Sequence, residues 1–353
     1  MQNIDLSKYS PDNQKKLIAI MNDPDIKKLC QNVRYGKTNG ETFEDIVADC
    51  TRLLTIDTSN IKFDREMNHF DWTADEIKEN LFDFYSYVDD MTPKQGELLS
   101  KVEFNYSNYF TLKKAKPGKY FRSGCGVDHG QRFIAVNHEG RFGDVGTTIH
   151  EFCHSLSKNF EERRPRKDDK MAEVCTTMTD VFVREFLADK YPYLEERVKN
   201  CYITSQLDNI AKAKETLFDA DIIKFGLGEI TFAELEKNYV KLFGNDLHLF
   251  NDRLDKIYNK KYLPDIQGKV GYIPLYEHRY LIPQAIAQIM LDRYKKDPKK
   301  ALKQFKTILE KDADITLEEA MKELSIKNKE KLLDDYINNF DDRIKQHTTE
   351  LIV

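Results

Sequence analysis

A mostly helical fold with one small β element beside a central cleft is what this sequence predicts, on three observations. Four threonines are each followed three residues later by an acidic side chain: Thr42 in TFED, Thr73 in TADE, Thr231 in TFAE and Thr316 in TLEE. In that pattern a hydroxyl and a carboxylate satisfy each other's backbone N–H groups at a helix start. Apolar residues also recur at helical spacing, as in Val145, Ile149, Phe152 and Leu156, which makes one buried stripe per helix. Only between Pro117 and Gly143 do glycines cluster around a short, partly β-branched run, FIAVN, the signature of a strand.

Taken in order, Ser10-Pro11 and Thr92-Pro93 each pair a cap residue with proline at a first helical position, and both predict helix starts. FIAVN (Phe133 to Asn137), closed by the turn-like NHEG, predicts a strand or hairpin directly before the next helix, and an edge strand there could pair with an extended peptide. A helix is predicted from Asp144 to Ser157, followed by a solvated loop over the charged, proline-containing EERRPRKDDK, Glu161 to Lys170. A second helix follows in KMAEVCTTMTDVFVREF, with Met171, Val174, Met178 and Phe182 as its apolar stripe. The expected organisation is a helical N-terminal lobe, 1–110, and a catalytic lobe, 111–353, within one continuous domain.

Composition narrows the function. At 353 residues, with 21 Phe and 18 Tyr, the chain has material for a substantial core. Its 55 basic and 60 acidic residues are interspersed to a net charge of -5, which excludes the basic field that nucleic-acid binding requires. No signal-like segment and no run of 18 apolar residues occurs, so a soluble, cytoplasmic protein without membrane contact is expected. The six cysteines form no CxxC pair and are expected to be reduced and structural.

The chemistry concentrates in TTIHEFCHSL, Thr147 to Leu156. On a helix, His150 and His154 share a face one turn apart, turned well away from the apolar stripe. That spacing lets two imidazole nitrogens reach one tetrahedral zinc, with Glu151 beside them as a base for an attacking water. A third ligand must come from a neighbouring helix. Glu173, opposite the apolar stripe of its segment, is the expected one. Asp180, two turns further along the same face, is suited to accept a hydrogen bond from the other nitrogen of a ligand histidine. His69, His129, His138, His248 and His347 are expected to be ordinary surface histidines, and Cys125 and Cys153 packed thiols.

RSGCG (Arg122 to Gly126), FIAVN, DVGTTIHEFCHSL and MAEVCTTMTD resemble, in order, the core of the thimet oligopeptidase and oligoendopeptidase F family of zinc peptidases. A weaker resemblance runs from about residue 75 to 345 and includes LEKDADITLEEA. It implies a zincin-like helical catalytic domain, one Zn2+ bound by His150, His154 and Glu173, Glu151 as catalytic base, and Asp180 as the acidic residue behind the site. YIPLYEHRYLIP is similar to the family's tyrosine-rich stretch, which implies that Tyr272, Tyr276 and His278 support the oxyanion, with Tyr280 at a third aromatic position. Pro283 would kink this segment towards the cleft. His278 stands where a tyrosine is usual, Cys153 replaces a glycine, Val270 occupies the neighbourhood of an expected histidine, and the family's members are longer, chiefly in the N-terminal lobe. The implied activity is zinc-dependent endopeptidase cleavage of extended peptides. A zinc hydrolase acting on one protein or on a non-peptide amide, and a non-catalytic helical binding protein, remain as alternatives.

Overall fold

The structure is a computed structural model that describes residues 9–38, 40–63, 67, 70–92, 94, 96–114, 123–128, 131–162, 165–245, 248–259 and 275–347. In chain order its elements are α1 (Pro11–Asn22), α2 (Pro24–Tyr35), β1 (Lys37–Thr38), β2 (Glu41–Thr42), α3 (Phe43–Leu53), α4 (Ala74–Asp90), α5 (Glu97–Tyr109), β3 (Phe110–Lys114), β4 (Gly124–Asp128), β5 (Gln131–His138), α6 (Asp144–Leu156), α7 (Lys158–Glu162), α8 (Val174–Lys190), α9 (Glu195–Leu227), α10 (Phe232–Phe243), α11 (His248–Asn259), α12 (Leu281–Lys296), α13 (Pro298–Lys311), α14 (Leu317–Glu323), α15 (Lys329–Asn338) and α16 (Phe340–His347). Single 3-10 turns precede α8 and α12, at Asp169–Glu173 and Tyr276–Tyr280.

Helix starts follow local chemistry. All four threonines accept from the backbone N–H three residues on while the acidic side chain there accepts from the threonine N–H, and Ser10 caps α1 ahead of Pro11. Thr92 does not open a helix. Helix α5 begins at Glu97 behind Gly96, whose φ of 73° is the left-handed conformation that favours glycine; Pro93 lies outside the described residues. Pro283 falls in the first turn of α12, where its missing N–H costs no hydrogen bond.

The chain divides into two compact units, residues 1–57 with 208–279 and residues 58–207 with 280–353. Helices α4 and α5 pack on α6 within the second unit. In the first unit Tyr9 stacks on Phe250 and Phe218 packs on Tyr239 and Phe250. Beside them Arg253, 1% exposed, is paired with Glu215 at 2.8 Å and Asp219 at 3.3 Å. Among the described residues no helix is long and apolar enough to cross a membrane.

The second unit is built around α8, which packs against both α6 and α12. Because α8 is covered on several sides, its threonines are buried with its apolar residues. They are accommodated by donating back into the helix: Thr176 to the Glu173 carbonyl at 3.2 Å and Thr179 to the Thr176 carbonyl at 2.7 Å. The three-stranded sheet has the order β3-β5-β4, with β3 parallel and β4 antiparallel to β5. The FIAVN strand is therefore the middle of the sheet. The edge-strand expectation is corrected: β5 has neighbours on both sides, and among the described strands β4, carrying the glycines of RSGCG, lies at an edge. His138, at the end of β5, is buried rather than at the surface.

The connection from β5 to α6 is fixed by one carboxylate. Asp144, the first residue of α6, accepts from the backbone N–H groups of Glu139, Gly140 and Arg141 at 2.8–2.9 Å. Gly140 has a φ of 84°, and a Cβ there would stand 3.2 Å from the Phe70 carbonyl oxygen, so glycine is required on both counts. This turn aims α6 from the end of the sheet.

Candidate metal centre

Helix α6 buries Val145, Ile149, Phe152 and Leu156, each 0–3% exposed, and each buried side chain stabilises the helix on its unit by about 1.5–3 kcal/mol. Phe152 packs against Phe110 with ring centroids 4.9 Å apart. Two hydrogen bonds fix the helix against α4 and α5. The buried Tyr85 hydroxyl donates to the Ile149 carbonyl at 3.1 Å, and the Asn105 amide donates to Ser155 Oγ at 2.9 Å. The stripe leaves His150 and His154 half-buried on another face, their rings 5.0 Å apart and nearly perpendicular.

Glu173 reaches the same point from a second element. It closes the 3-10 turn that runs into α8 and is 2% exposed. Its Oε2 lies 3.4 Å from His150 Nε2 and 3.6 Å from His154 Nε2. Ligand bonds of 2.0–2.1 Å in a tetrahedron place neighbouring donor atoms about 3.3–3.4 Å apart, so both separations from Glu173 are close to those of donors that share one zinc ion. Asp180, from the second turn of α8, sets both oxygens 3.2 Å from His150 Nδ1. A proton held on Nδ1 leaves the Nε2 lone pair facing Glu173. Thr176 Oγ1 lies 3.2 Å from Glu173 Oε2 as well as from the Glu173 carbonyl oxygen, so its one proton is shared between the two.

Glu151, one position round α6 from His150, is 9% exposed, and its charge is felt on β4. The Cys125 thiol there is pushed well up by burial first and by Glu151 second, against the opposing charges of Arg132 and Arg166. Burial also pushes the Cys153 thiol on α6 well up. None of the six cysteines forms a disulfide.

The segment delivering Glu173 is held by the C-terminal helices. The Lys167 N–H donates to the Ala313 carbonyl at 2.9 Å, the Leu317 N–H donates to Asp168 Oδ2 at 2.9 Å, and Arg166 lies 3.6 Å from buried Asp312. LEKDADITLEEA thus supplies the anchor for the loop before the metal cluster. The expected solvated loop, Glu161 to Lys170, is only partly one, since its first two residues end α7 and its last two begin the 3-10 turn.

Sequence reasoning passed over Thr176, Tyr85, Asn105 and the Arg166–Asp168 anchor. For Thr176 a signal existed, because it follows Glu173 by three residues on a helical segment; the others act across the fold and leave no local mark.

Tyr276 and His278 belong to the first unit, while Tyr272, with Arg122, Val270, His69, His129 and Pro274, lies outside the described residues. His278 is a buried side chain. It is 3% exposed, with Nδ1 3.4 Å from Glu41 Oε2 and Nε2 3.4 Å from Asp49 Oδ2, so both ring nitrogens face carboxylates of their own unit.

No protein-family model and no curated protein sequence matches the chain. Solved structures do. A protein described as an oligoendopeptidase F from Bacillus anthracis str. Ames superposes with a TM-score of 0.54 at 14% identity, over 96% of this chain and 57% of that one. PZ peptidase A, solved with an inhibitor, gives 0.56 at 15% identity, over 93% of this chain and 59% of that one. A peptidase from Chlamydophila abortus gives 0.50 at 12% identity, over 95% and 55%. The chain therefore has an oligoendopeptidase-like, mostly helical fold and spans 55–59% of the length of these structural neighbours.

Proposed function

We propose that this chain is a zinc-dependent endopeptidase of the oligopeptidase type that hydrolyses internal bonds of extended peptides. The observation that carries the reading is the convergence of His150 Nε2 and His154 Nε2, from α6, on one oxygen of Glu173, from the turn into α8. His150, His154 and Glu173 are the proposed ligands of one Zn2+. When bound, zinc supplies a Lewis acid that polarises a peptide carbonyl and acidifies water. Asp180 holds the proton on His150 Nδ1 and keeps the ring oriented. A carboxylate oxygen of Glu151 takes a proton from the attacking water and passes it to the leaving nitrogen.

An extended substrate is proposed to add to the sheet alongside β4, whose backbone groups bind peptide with little side-chain selection. The peptidase descriptions of the structural neighbours agree with a peptide substrate. Oxyanion support is assigned to Tyr276 and Tyr272 on the sequence resemblance alone, and Tyr276→Phe is expected to lower kcat more than it raises KM.

The deciding experiment pairs hydrolysis of internally quenched peptides with elemental analysis. Glu151→Gln is expected to keep its zinc and lose hydrolysis, whereas Glu173→Ala loses one equivalent of zinc together with activity. A Glu173→Ala protein with the zinc content of wild type overturns the ligand assignment. Cleavage of a mixed peptide library separates a general peptidase from a hydrolase with one target.

A further inference from the structure

One other set of ligand-bearing side chains converges among the described residues, and it lies entirely within the first unit: Glu41 on β2, Asp49 on α3 and His278 in the 3-10 turn after residue 275. All three are buried, at 8, 4 and 3% exposure. Asp49 is the unusual member. The face of α3 that turns inward carries Phe43, Ile46, Cys50 and Leu53, and periodicity alone would fill position 49 with another apolar residue. A carboxylate there needs a partner that repays the loss of water.

The separations have the scale of a metal site. His278 Nε2 lies 3.4 Å from Asp49 Oδ2, Nδ1 lies 3.4 Å from Glu41 Oε2, and one ligand atom from each residue falls within 4.8 Å of the others. In the cluster on α6 and α8 both separations end on one Glu173 oxygen, whereas here they start from different ring nitrogens, so convergence on one ion rests on the 4.8 Å spacing of one ligand atom from each residue. Two carboxylate oxygens with one imidazole nitrogen make a donor set suited to zinc or manganese rather than to a soft metal.

We propose that Glu41, Asp49 and His278 form a second metal site, separate from the candidate catalytic centre, which takes one divalent cation such as Zn2+ or Mn2+. The ring gives one nitrogen to the ion, and Glu41 and Asp49 give one oxygen each. The site ties the β2–α3 segment to a turn 229 residues beyond Asp49 and acts as a staple for the first unit. It contributes no group to peptide hydrolysis.

The test uses the full chain in two backgrounds, wild type and Glu173→Ala, each with and without Asp49→Asn. Proteins stripped with chelator are titrated with Mn2+, read by the electron paramagnetic resonance signal of the free ion, and with Zn2+, read by elemental analysis after desalting. Asp49→Asn is expected to remove one equivalent in both backgrounds, and Mn2+ is expected to raise Tm in Glu173→Ala but not in Glu173→Ala with Asp49→Asn. Because the difference is read in both backgrounds, it holds whether or not Glu173 is a ligand of the first site. Should Asp49→Asn fail to fold, Glu41→Gln gives the same reading. Failure of Glu173→Ala to bind any metal, or metal content unchanged by both Asp49→Asn and Glu41→Gln, overturns the proposal and leaves an imidazolium held between two carboxylates.

Discussion

Removal of Asp180 tests the proposed step by which the fold readies His150 as a metal ligand. Both carboxylate oxygens stand 3.2 Å from His150 Nδ1, and the side chain is 24% exposed. A hydrogen bond to a charged group contributes about 1.5–3 kcal/mol, and partial exposure puts this one in the lower part of that range, at about 1.5–2 kcal/mol. At about 1.4 kcal/mol per factor of ten, zinc affinity should fall roughly 10–30-fold in Asp180→Ala, within the span of 10–100-fold expected for outer-shell partners. Asp180→Asn keeps an acceptor without its charge and should lose roughly 3–5-fold. The assay is hydrolysis followed against buffered free zinc, so that activity reports the metal of the α6–α8 cluster alone. Because no ligand is removed, activity should recover at saturating zinc to within about tenfold of wild type. A midpoint unchanged in Asp180→Ala would refute the orienting role, and failure to recover at saturating zinc would mean that Asp180 acts in the chemistry itself.

Thr176→Val removes the hydroxyl 3.2 Å from Glu173 Oε2 and should weaken zinc by about 1 kcal/mol, roughly fivefold in the same assay. Phe152→Ala removes the ring packed on Phe110 and should cost about 3–5 kcal/mol, seen in urea unfolding, with the metal lost as the helix loosens. Asp168→Ala strips the acceptor from the Lys170 and Leu317 N–H groups and should weaken zinc although residue 168 is no ligand, because the strap before Glu173 is released; equal zinc binding in the variant would contradict the anchoring role. Glu76, Glu234 and Glu319 are each held below the ordinary 4.5 chiefly by the N-cap backbone N–H they accept from. Their stabilisation is complete above pH 4.5 and is lost as pH falls through the lowered values, so replacing all three by Gln should flatten the acid side of a stability profile measured by urea unfolding.

What was legible in the sequence was what is local in the chain. A capping box needs four residues and a pair of histidines on one helix face needs five, so Thr42, Thr73, Thr231 and Thr316, and the shared face of His150 and His154, could be read without knowing any tertiary neighbour. Glu173 was a longer reach. It could be singled out because the stripe from Met171 to Phe182 fixes which side of its segment turns to the core, although the 3-10 geometry that carries it into α8 leaves no such trace. Nothing local could say that β5 sits between β3 and β4, since strand order is set by partners more than twenty residues away along β3.

His278 marks where motif and fold part. Read by its neighbours in YEHRY it stands in an aromatic series that implied oxyanion support, but its surroundings are set by Glu41 and Asp49, over two hundred residues earlier. A side chain with both nitrogens facing buried carboxylates has its protons or its lone pair committed within its own unit, and a developing negative charge elsewhere would have to draw it away from two stronger acceptors. Where the sequence resemblance implies a phenol, an imidazole is therefore more than a swap of one donor for another. A phenol offers one proton and one point of contact, whereas an imidazole offers two nitrogens pointing apart, and Glu41 and Asp49 meet one each. What is unusual in this chain at position 278 is bound up with what is unusual at position 49, a carboxylate on an apolar helix face, and one cation accounts for both.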